Sequence, residues 1–201
     1  MTTTTVNAKD VQELRARTGA GMMDCKKALE ETKGNIELAI EYLRTKGISK
    51  AEKRVGKQTG EGQVGSYIHH NGRVGVMVEV NCETDFVART DDFRNLVKSI
   101  AEHIAAAAPL SVDKDGVPQA KVEQERRIFE EQVRASGKPE QMIDKIVTGK
   151  VEAYYKDVAL MHQAWVREPK RTIGDLVREV SSRVGENIQV RRFVRYQLGE
   201  E

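Results

Sequence analysis

Three short helices are predicted near the start of the chain, where apolar stretches alternate with glycine. The clearest of them carries one apolar face at the i, i+3, i+4, i+7 spacing of a helix. That face consists of Ile36, Ala39, Ile40 and Leu43. Glycine-containing breaks separate the helices, because glycine adopts the left-handed conformation in which helices commonly end. Residues 1–47 are therefore predicted to form a small three-helix bundle.

Capping residues mark the ends of these helices. Asn7 is a suitable N-cap for the first helix, and Asn35 is a suitable N-cap for the third. The second helix begins at Met22, and Gly34 lies where a left-handed residue would end it. The third helix is predicted to close at residues 46–47, before a basic and then glycine-rich linker.

The linker, residues 48–62, contains part of a glycine pattern that resembles a dinucleotide-binding loop. Gly60, Gly62 and Gly65 have the GxGxxG spacing, but such a loop must follow a strand and open a helix. Here the glycines are predicted to precede a strand. We therefore expect no bound nucleotide and no other cofactor.

From Gln63 onward the apolar pattern becomes that of a β-hairpin. Two β-runs flank Asn71-Gly72, and this pair favours a type I′ turn because both residues tolerate a positive φ. The second β-run is predicted to end at Val80 or Cys82 and leads into NCETDFVAR, and a helix is predicted over residues 90–107. An apolar stripe predicts that this helix packs on the sheet. The stripe consists of Phe93, Leu96, Val97, Ile100 and Ile104.

The remainder of the chain is predicted to be mainly helical, with one closing strand. Helices are expected over residues 119–135, from Pro139 onward, and over residues 172–184. The run around residues 160–166 fits either a strand or irregular structure. The alternating run at residues 187–198 predicts a last strand, which must pair with the hairpin or with another chain because a lone edge invites association.

Composition limits the function classes. The 201 residues include 32% charged side chains but carry a net charge of only +2, so neither a nucleic acid nor a membrane surface is demanded as a partner. No run of about 18 apolar residues could span a membrane, and the first ten residues lack the apolar centre of a signal peptide. We therefore expect a cytoplasmic protein.

Candidate reactive groups are few. Cys25 and Cys82 lack CxxC spacing, which favours buried free thiols in a reducing compartment over a disulfide framework. His69-His70 is not accompanied by the cysteines, histidines or carboxylates of a metal site, so no metal is expected. No arrangement of side chains supports catalysis, and the chain is not expected to be an enzyme.

Two features combine apolar side chains with positions near the surface. Phe86 follows Asp85 in a predicted strand-to-helix turn, and turns lie at the surface. Phe86 either folds back into the core or remains exposed. Met22 and Met23 are adjacent on a helix, so both cannot point inward. One can be core and the other partly covered, or both can form an adaptable binding face.

Several of these stretches, in this order, closely resemble the bacterial elongation factor Ts family. The most specific are RTGAGMMDCKKAL at residues 17–29 and GVMVEVNCETDFVA at residues 75–88. EHIAAAAP at residues 102–109 and FVRYQLGE at residues 193–200 continue the match. The resemblance covers nearly the whole chain. It implies a guanine nucleotide exchange factor for elongation factor Tu, a GTPase of translation elongation.

The resemblance also implies a fold and a division into domains. The expected fold class is α+β, with a ubiquitin-associated-like three-helix bundle at residues 1–47. The linker at residues 48–62 leads to a core domain at residues 63–201, in which helices pack on a small antiparallel sheet. Short members of the family resemble homodimers, and residues 187–198 are the expected contact between two chains.

The family's contact residues can be carried over to matching positions. Members of the family insert an Asp-Phe pair near the nucleotide of the GTPase, which promotes release of GDP and Mg²⁺. The matching residues are Thr84, Asp85, Phe86 and Val87. The family's HxAA histidine matches His103, which a helical wheel places at the edge of the apolar stripe, partly exposed. Met22 and Met23 match the methionines that contact another helix of the GTPase.

Two other functions remain open at this stage. A ubiquitin-associated-type adaptor would capture helices through Met22-Met23 without promoting nucleotide exchange. An RNA-binding protein would use the basic segment Lys50–Lys57 and bind with a steep salt dependence. That segment lacks interleaved aromatic side chains, so a nucleic acid is not required as a partner.

Overall fold

The computed structural model describes residues 6–52 and 54–200. The first five residues lie outside this range. They are half of the ten-residue stretch on which the expectation about a signal peptide rests. The side chain of Lys50 and all of Lys53, which belong to the basic segment considered for RNA binding, also lie outside it.

Runs of helices and runs of strands follow one another along the chain, as expected of an α+β fold. The helices are α1 (Ala8–Thr18), α2 (Met22–Glu31), α3 (Ile36–Glu52), α4 (Asp85–Ala88), α5 (Asp91–Ala107), α6 (Gln119–Ala135), α7 (Glu140–Val158) and α8 (Ile173–Val184). The strands are β1 (Glu61–Ile68), β2 (Val74–Cys82), β3 (Ala164–Trp165), β4 (Glu168–Thr172) and β5 (Gln189–Gln197). The α+β fold class is confirmed.

The chain divides into two compact units that are discontinuous in sequence. The first consists of Met1–Gly62, Cys82–Phe93 and Val177–Gln189. The second consists of Gln63–Asn81, Arg94–Leu176 and Val190–Glu201.

The N-terminal bundle of the first unit forms as its apolar pattern predicts. Asn7 accepts a hydrogen bond from the backbone N–H of Lys9, and Asn35 accepts one from Leu38, so both predicted caps are present. Gly34 adopts the expected positive φ of 83°. The bundle encloses a small core formed by Val11, Leu14, Cys25, Ala28, Leu29 and Ala39.

The predicted end of the third helix at residues 46–47 is wrong, because α3 continues to Glu52. Gly47 lies within the helix, where a Cβ atom would come within 2.9 Å of the Ser182 hydroxyl oxygen. The glycine therefore permits α3 and α8 to approach closely. It does not act as a helix stop, and part of the predicted linker is helical.

The main sheet has three strands in the order β1-β2-β5. The predicted hairpin forms, but its turn is not type I′, since Gly72 has a φ of 67° and Asn71 does not adopt a positive φ. The N–H of Gly72 donates to the carbonyl of His69, and Asn71 accepts from the N–H of Arg73. The turn is thus longer than the two-residue loop that the sequence suggested.

The closing strand pairs with the hairpin, which was one of the two expected outcomes. Leu198 at the end of β5 donates its N–H to the carbonyl of Arg73, just before β2 begins. Arg192 forms an ion pair with Glu79 at 2.7 Å further along the same two strands. This register makes β5 antiparallel to β2 and leaves β1 and β5 at the two edges of the sheet.

A glycine of the GxGxxG pattern has a packing role inside β1. Gly62 and Gly65 lie within the strand rather than before it, which corrects the sequence expectation. At Gly65 a Cβ atom would lie 2.2 Å from a methyl carbon of Val97 on α5. Only glycine permits this approach between helix and sheet.

The predicted apolar stripe of α5 is confirmed, since all five of its residues are buried. Helices α6 and α7 pack together and form a separate core in the second unit. Its buried members are Val117, Val122, Val133, Ile143, Val147, Val151 and Ala159.

The run around residues 160–166, which the sequence left open, contains a short 3₁₀ turn and then the hairpin β3–β4. Ala164 pairs with Thr172, and Trp165 pairs with Glu168, in an irregular antiparallel register.

Candidate functional site

The NCETDFVAR stretch forms a one-turn helix, α4, directly after β2. Thr84 caps this helix, because its hydroxyl oxygen accepts the N–H of Val87 at 3.4 Å. Val87 is buried, whereas Phe86, one residue earlier and about 100° away around the helix, is 78% exposed. Of the two possibilities for Phe86, the structure therefore shows the exposed one. An isolated aromatic ring is presented at the surface by a short, capped turn.

Asp85 lies beside this ring and forms an ion pair within the same turn. Its carboxylate is 2.7 Å from the guanidinium of Arg89, four residues later. Both side chains are substantially exposed, and such i, i+4 pairs contribute only about 0.3–0.5 kcal/mol. Asp85 can therefore exchange Arg89 for another cation at little cost.

The backbone before α4 is held by a carboxylate that the sequence analysis did not identify. One oxygen of Glu186 accepts the N–H groups of Glu83 and Thr84 at 3.1 and 3.0 Å. The other oxygen accepts the hydroxyl of Thr84 at 2.6 Å. Glu186 lies in the connection between α8 and β5, 102 residues from Thr84, so no local pattern in the sequence could have revealed the contact.

Glu83 makes the reciprocal contact. Its carboxylate accepts the N–H of Asn187 at 2.6 Å and is also approached by Arg54 and Lys57 at 3.3 and 3.5 Å. These contacts, led by the Asn187 hydrogen bond, hold the pKa of Glu83 below its ordinary value. Glu83 and Glu186 thus each accept backbone hydrogen bonds from the segment that contains the other.

The buried side chain of Cys82 makes a further contact with the same segment. Its thiol donates to the carbonyl of Thr84 at 3.1 Å. Both cysteines are free and buried, which confirms the expectation of buried free thiols. Burial raises the pKa of Cys25, and burial together with the charge of Glu186 raises the pKa of Cys82 to about 11.

Met22 and Met23 begin α2, and both are exposed. Met23 is 75% exposed and Met22 is half exposed, so neither belongs to the core of the bundle. This excludes the arrangement with one core methionine and leaves a pair of flexible apolar side chains at the start of a helix.

His103 contradicts the expectation that it is partly exposed, because it is completely buried. The helical wheel places it at the edge of the stripe on α5, and the segment leading into β3 and the turn after it cover that edge. The imidazole Nε2 lies 2.9 Å from the side-chain oxygen of Gln163, and Nδ1 accepts the N–H of Val166 at 3.3 Å. Covering by the irregular segment was not predictable from helical periodicity.

These contacts assign the tautomer of His103. Nδ1 accepts a backbone N–H, so the proton of the neutral ring lies on Nε2 and is donated to Gln163. Gln163 is itself buried, and its amide donates to the carbonyls of Ala107 and Asp157 at 3.3 and 2.6 Å. Burial lowers the pKa of His103, although the Gln163 hydrogen bond opposes this. The ring is therefore neutral near pH 7.

Within the described residues, no group of three or more histidine, cysteine and acidic side chains is placed to hold a metal ion. None of the helices in the part of the chain that the structure describes is long and apolar enough to cross a membrane.

Together, these observations describe an α+β protein whose first unit exposes large apolar side chains at two of the expected contact positions, Phe86 on α4 and the methionine pair on α2. A family model described as Elongation factor TS matches residues 2–200. Elongation factor Ts from Fervidobacterium nodosum is 53% identical over 195 residues, covering 97% of this chain and 99% of that protein.

Two further relatives agree with this assignment. Elongation factor Ts from Thermoanaerobacter sp. (strain X514) is 52% identical, over 97% of this chain and 96% of that protein. Elongation factor Ts from Geobacter sulfurreducens is 51% identical, over 97% of this chain and 90% of that protein. The chain belongs to the elongation factor Ts family.

Proposed function

We propose that this protein is a guanine nucleotide exchange factor that acts on elongation factor Tu in the cytoplasm during translation elongation. Membership of the family supports the assignment, and the exposed position of Phe86 beside Asp85 is the observation that carries the mechanism. The protein acts by binding and carries out no covalent chemistry, so it requires no cofactor. Family membership favours this function over an adaptor without exchange activity.

Phe86 is proposed to enter a pocket of the GTPase. Burial of a phenylalanine side chain contributes about 1.5–3 kcal/mol, which is typical of a residue that dominates a binding interface. Thr84 and Val87 hold the turn that presents the ring. Asp85 supplies negative charge near the bound Mg²⁺ or its ligands, and Arg89 can be displaced as it does so.

The family resemblance predicts His103 as a contact near the nucleotide. Because its imidazole is buried and both ring nitrogens are hydrogen-bonded, we propose that it acts from inside the protein. In this role it ties α5 to the segment at residues 163–166 and fixes the surface above it, without itself touching the GTPase.

The experiment that tests the function is stopped-flow release of a fluorescent GDP analogue from elongation factor Tu, with and without this protein. We expect catalytic amounts to accelerate release. Binding to the GTPase without acceleration would instead support the adaptor.

Met22 and Met23 are proposed to anchor the complex rather than to drive release. Methionine side chains adapt to irregular apolar surfaces, and both are exposed at the start of α2. We expect Met22→Lys to raise the concentration needed for half-maximal exchange by about tenfold or more, since a charge replaces a buried apolar contact. The maximal release rate should change little.

The control for this prediction is Met142→Lys, which changes an equally exposed methionine on α7. It should leave both kinetic parameters unchanged. If Met22→Lys reduced the maximal rate as much as the affinity, the anchor role would be refuted.

We further propose that the protein forms a homodimer through the sheet that contains residues 187–198. In the second unit, exposed apolar side chains lie on all three strands or directly after them. They are Val64, Ile68, Met77, Val194, Tyr196 and Leu198. Ile68 approaches Gly75 on the neighbouring strand, and contiguous exposed apolar surface of this kind marks an interaction site. A second copy fits because the same patch can face itself about a two-fold axis.

Met77 lies on the central strand of this patch and half of it is exposed. We expect Met77→Lys to convert a dimer, with twice the 22.6 kDa mass of one chain, into a monomer, because each chain would bury a lysine charge in the interface. Light scattering after size-exclusion chromatography measures this. Ile128→Lys, on α6, should remain dimeric, and a wild-type monomer at micromolar concentration would contradict the proposal.

A further inference from the structure

The segment that presents Phe86 is fixed to the connection between α8 and β5 by two crossed carboxylates. Glu186 accepts three hydrogen bonds from Glu83 and Thr84, and Glu83 accepts the N–H of Asn187 in return. The side-chain carboxyl of Glu83 is largely buried, with 19% of its surface exposed. Hydrogen bonds to an ionised acceptor are shorter and stronger than neutral ones, so this pair restrains the backbone on both sides.

We propose that Glu186 is a positioning residue for nucleotide exchange, which holds the turn at Thr84 so that Asp85 and Phe86 enter the GTPase in one fixed orientation. The inference rests on the exchange function proposed above and extends it to a residue outside the Asp-Phe motif. Glu186 does not need to contact the partner in order to act in this way.

The turn that carries Phe86 is too short to fix its own orientation. Phe86 has little support of its own, because its ring is 78% exposed and α4 has only four residues. A single helical turn is not stable in isolation, because nucleation costs more than one hydrogen bond returns. Its orientation must therefore come from the packing of Val87 and from what holds its ends. The first end is held by Thr84, whose N–H and hydroxyl both donate to Glu186.

The hydroxyl of Thr84 is shared between the Glu186 carboxylate and the cap of α4. Its oxygen accepts the N–H of Val87, which begins α4, while its proton is donated to Glu186. The carboxylate therefore selects the hydroxyl orientation that leaves a lone pair free for the cap. Loss of the carboxylate would let the Thr84 hydroxyl rotate freely. It would therefore weaken the cap of α4 as well as remove the backbone contacts.

The connection between α8 and β5 is also held by contacts that do not involve the Glu186 side chain. The backbone carbonyl of Glu186 accepts the Ser181 hydroxyl at 2.5 Å, and that contact survives any change of the side chain. Asn187 is also held through its own side chain, which donates to the carbonyl of Lys57. Removal of the Glu186 carboxylate should therefore loosen the turn before α4 without releasing the α8–β5 connection.

The test compares Glu186→Ala and Glu186→Gln with wild type in stimulated GDP release. We expect Glu186→Ala to lower the maximal release rate by roughly ten- to a hundredfold, because a misplacement of about 1 Å can cost up to about a hundredfold in rate. The concentration for half-maximal exchange should change less than threefold. Glu186→Gln retains one oxygen for the two N–H groups but not the acceptor for the Thr84 hydroxyl, so its rate should be intermediate. Glu131→Gln, which removes an exposed carboxylate on α6, should match wild type.

Hydrogen exchange of individual amides supplies a direct readout of positioning. In Glu186→Ala the amides of Glu83 and Thr84 should exchange at least tenfold faster, whereas those of Val97 and Ile100 on α5 should not change. Should Glu186→Ala fail to fold, Glu186→Gln decides the question in the same two assays.

The possible failures are distinguishable. If wild-type protein does not accelerate GDP release, the proposed function falls. If wild type is active and Glu186→Ala is equally active, or if its Thr84 amide stays protected, only the positioning role falls. If Glu186→Ala loses affinity but keeps its maximal rate, Glu186 belongs to the docking surface and the positioning role is refuted.

Discussion

Replacement of Phe86 by alanine is expected to slow stimulated GDP release by about tenfold to a hundredfold while leaving the melting temperature unchanged. The kinetic loss corresponds to the roughly 1.5–3 kcal/mol gained when a phenylalanine side chain is buried. The folded protein loses almost no stability, because the ring is 78% exposed in the structure. Stopped-flow release of fluorescent GDP at saturating exchange factor measures the first effect, and calorimetry measures the second.

A matched control is Ile128→Ala, which truncates another exposed apolar side chain, on α6 in the second unit. It should affect neither measurement. Unchanged exchange by Phe86→Ala would remove the ring from the mechanism. A large fall in melting temperature would show instead that Phe86 packs against its own protein in solution.

One ring cannot account for the whole effect of an exchange factor. By thermodynamic linkage, GDP must weaken binding of the factor by the same ratio as the factor weakens binding of GDP. A 10⁴-fold change requires about 5.5 kcal/mol of differential contact, roughly twice what Phe86 can provide. The methionine pair and the rest of the binding surface must share it, so Met22→Lys and Phe86→Ala should affect different kinetic parameters.

The sequence predicts the helices and strands of this chain well, because each carries its own periodicity. The stripe on α5 and the caps at Asn7 and Asn35 are local signals, and the structure confirms them. The errors occur at glycines. Gly47 and Gly65 resemble breaks or motif residues in the sequence, yet each permits two elements to approach closely, which only the three-dimensional structure shows.

The candidate site, like the fold, has some features that the local sequence predicts and others that only the structure shows. The turn that contains Asp85, Phe86 and Val87 is recognisable from its residues, but the sequence alone does not decide whether the ring of Phe86 points inward or outward. That choice depends on Val87, which fills the interior position of α4, and on the cap by Thr84. Glu186 could not be predicted at all, since its contact with Thr84 joins residues 102 positions apart.

His103 is the case in which periodicity misleads. An edge position on α5 is half exposed when only one sheet covers the helix, and the wheel cannot account for the segment that brings Gln163 and Val166 over it. Since that segment is a 3₁₀ turn followed by two short irregular strands, it has no periodic signal. The residue identity was evident from the sequence, whereas its environment was not.

Replacement of Gln163 by leucine is expected to destabilise the protein by about 3 kcal/mol or more. Leucine has a similar volume but cannot accept the Nε2 proton of His103 or donate to the carbonyls of Ala107 and Asp157. Each buried polar group left without a partner costs about 1–3 kcal/mol. In a protein of this size, each kcal/mol lowers the melting temperature by about 2–4 °C, so a fall of at least 6 °C should be seen by calorimetry.

Gln124→Leu, at an exposed position on α6, makes the same chemical change without burial and should leave the melting temperature within about 1 °C of wild type. The double variant Gln163→Leu with His103→Leu separates the two explanations of the loss. If the unpaired imidazole is the main cost, removal of both polar partners recovers part of the stability, since replacing a whole hydrogen-bonded pair by apolar groups is less harmful than orphaning one member. If the double variant were less stable than Gln163→Leu alone, the unpaired imidazole would not be the main cost, and His103 would be stabilising the protein through its other contacts, among them the hydrogen bond from Val166.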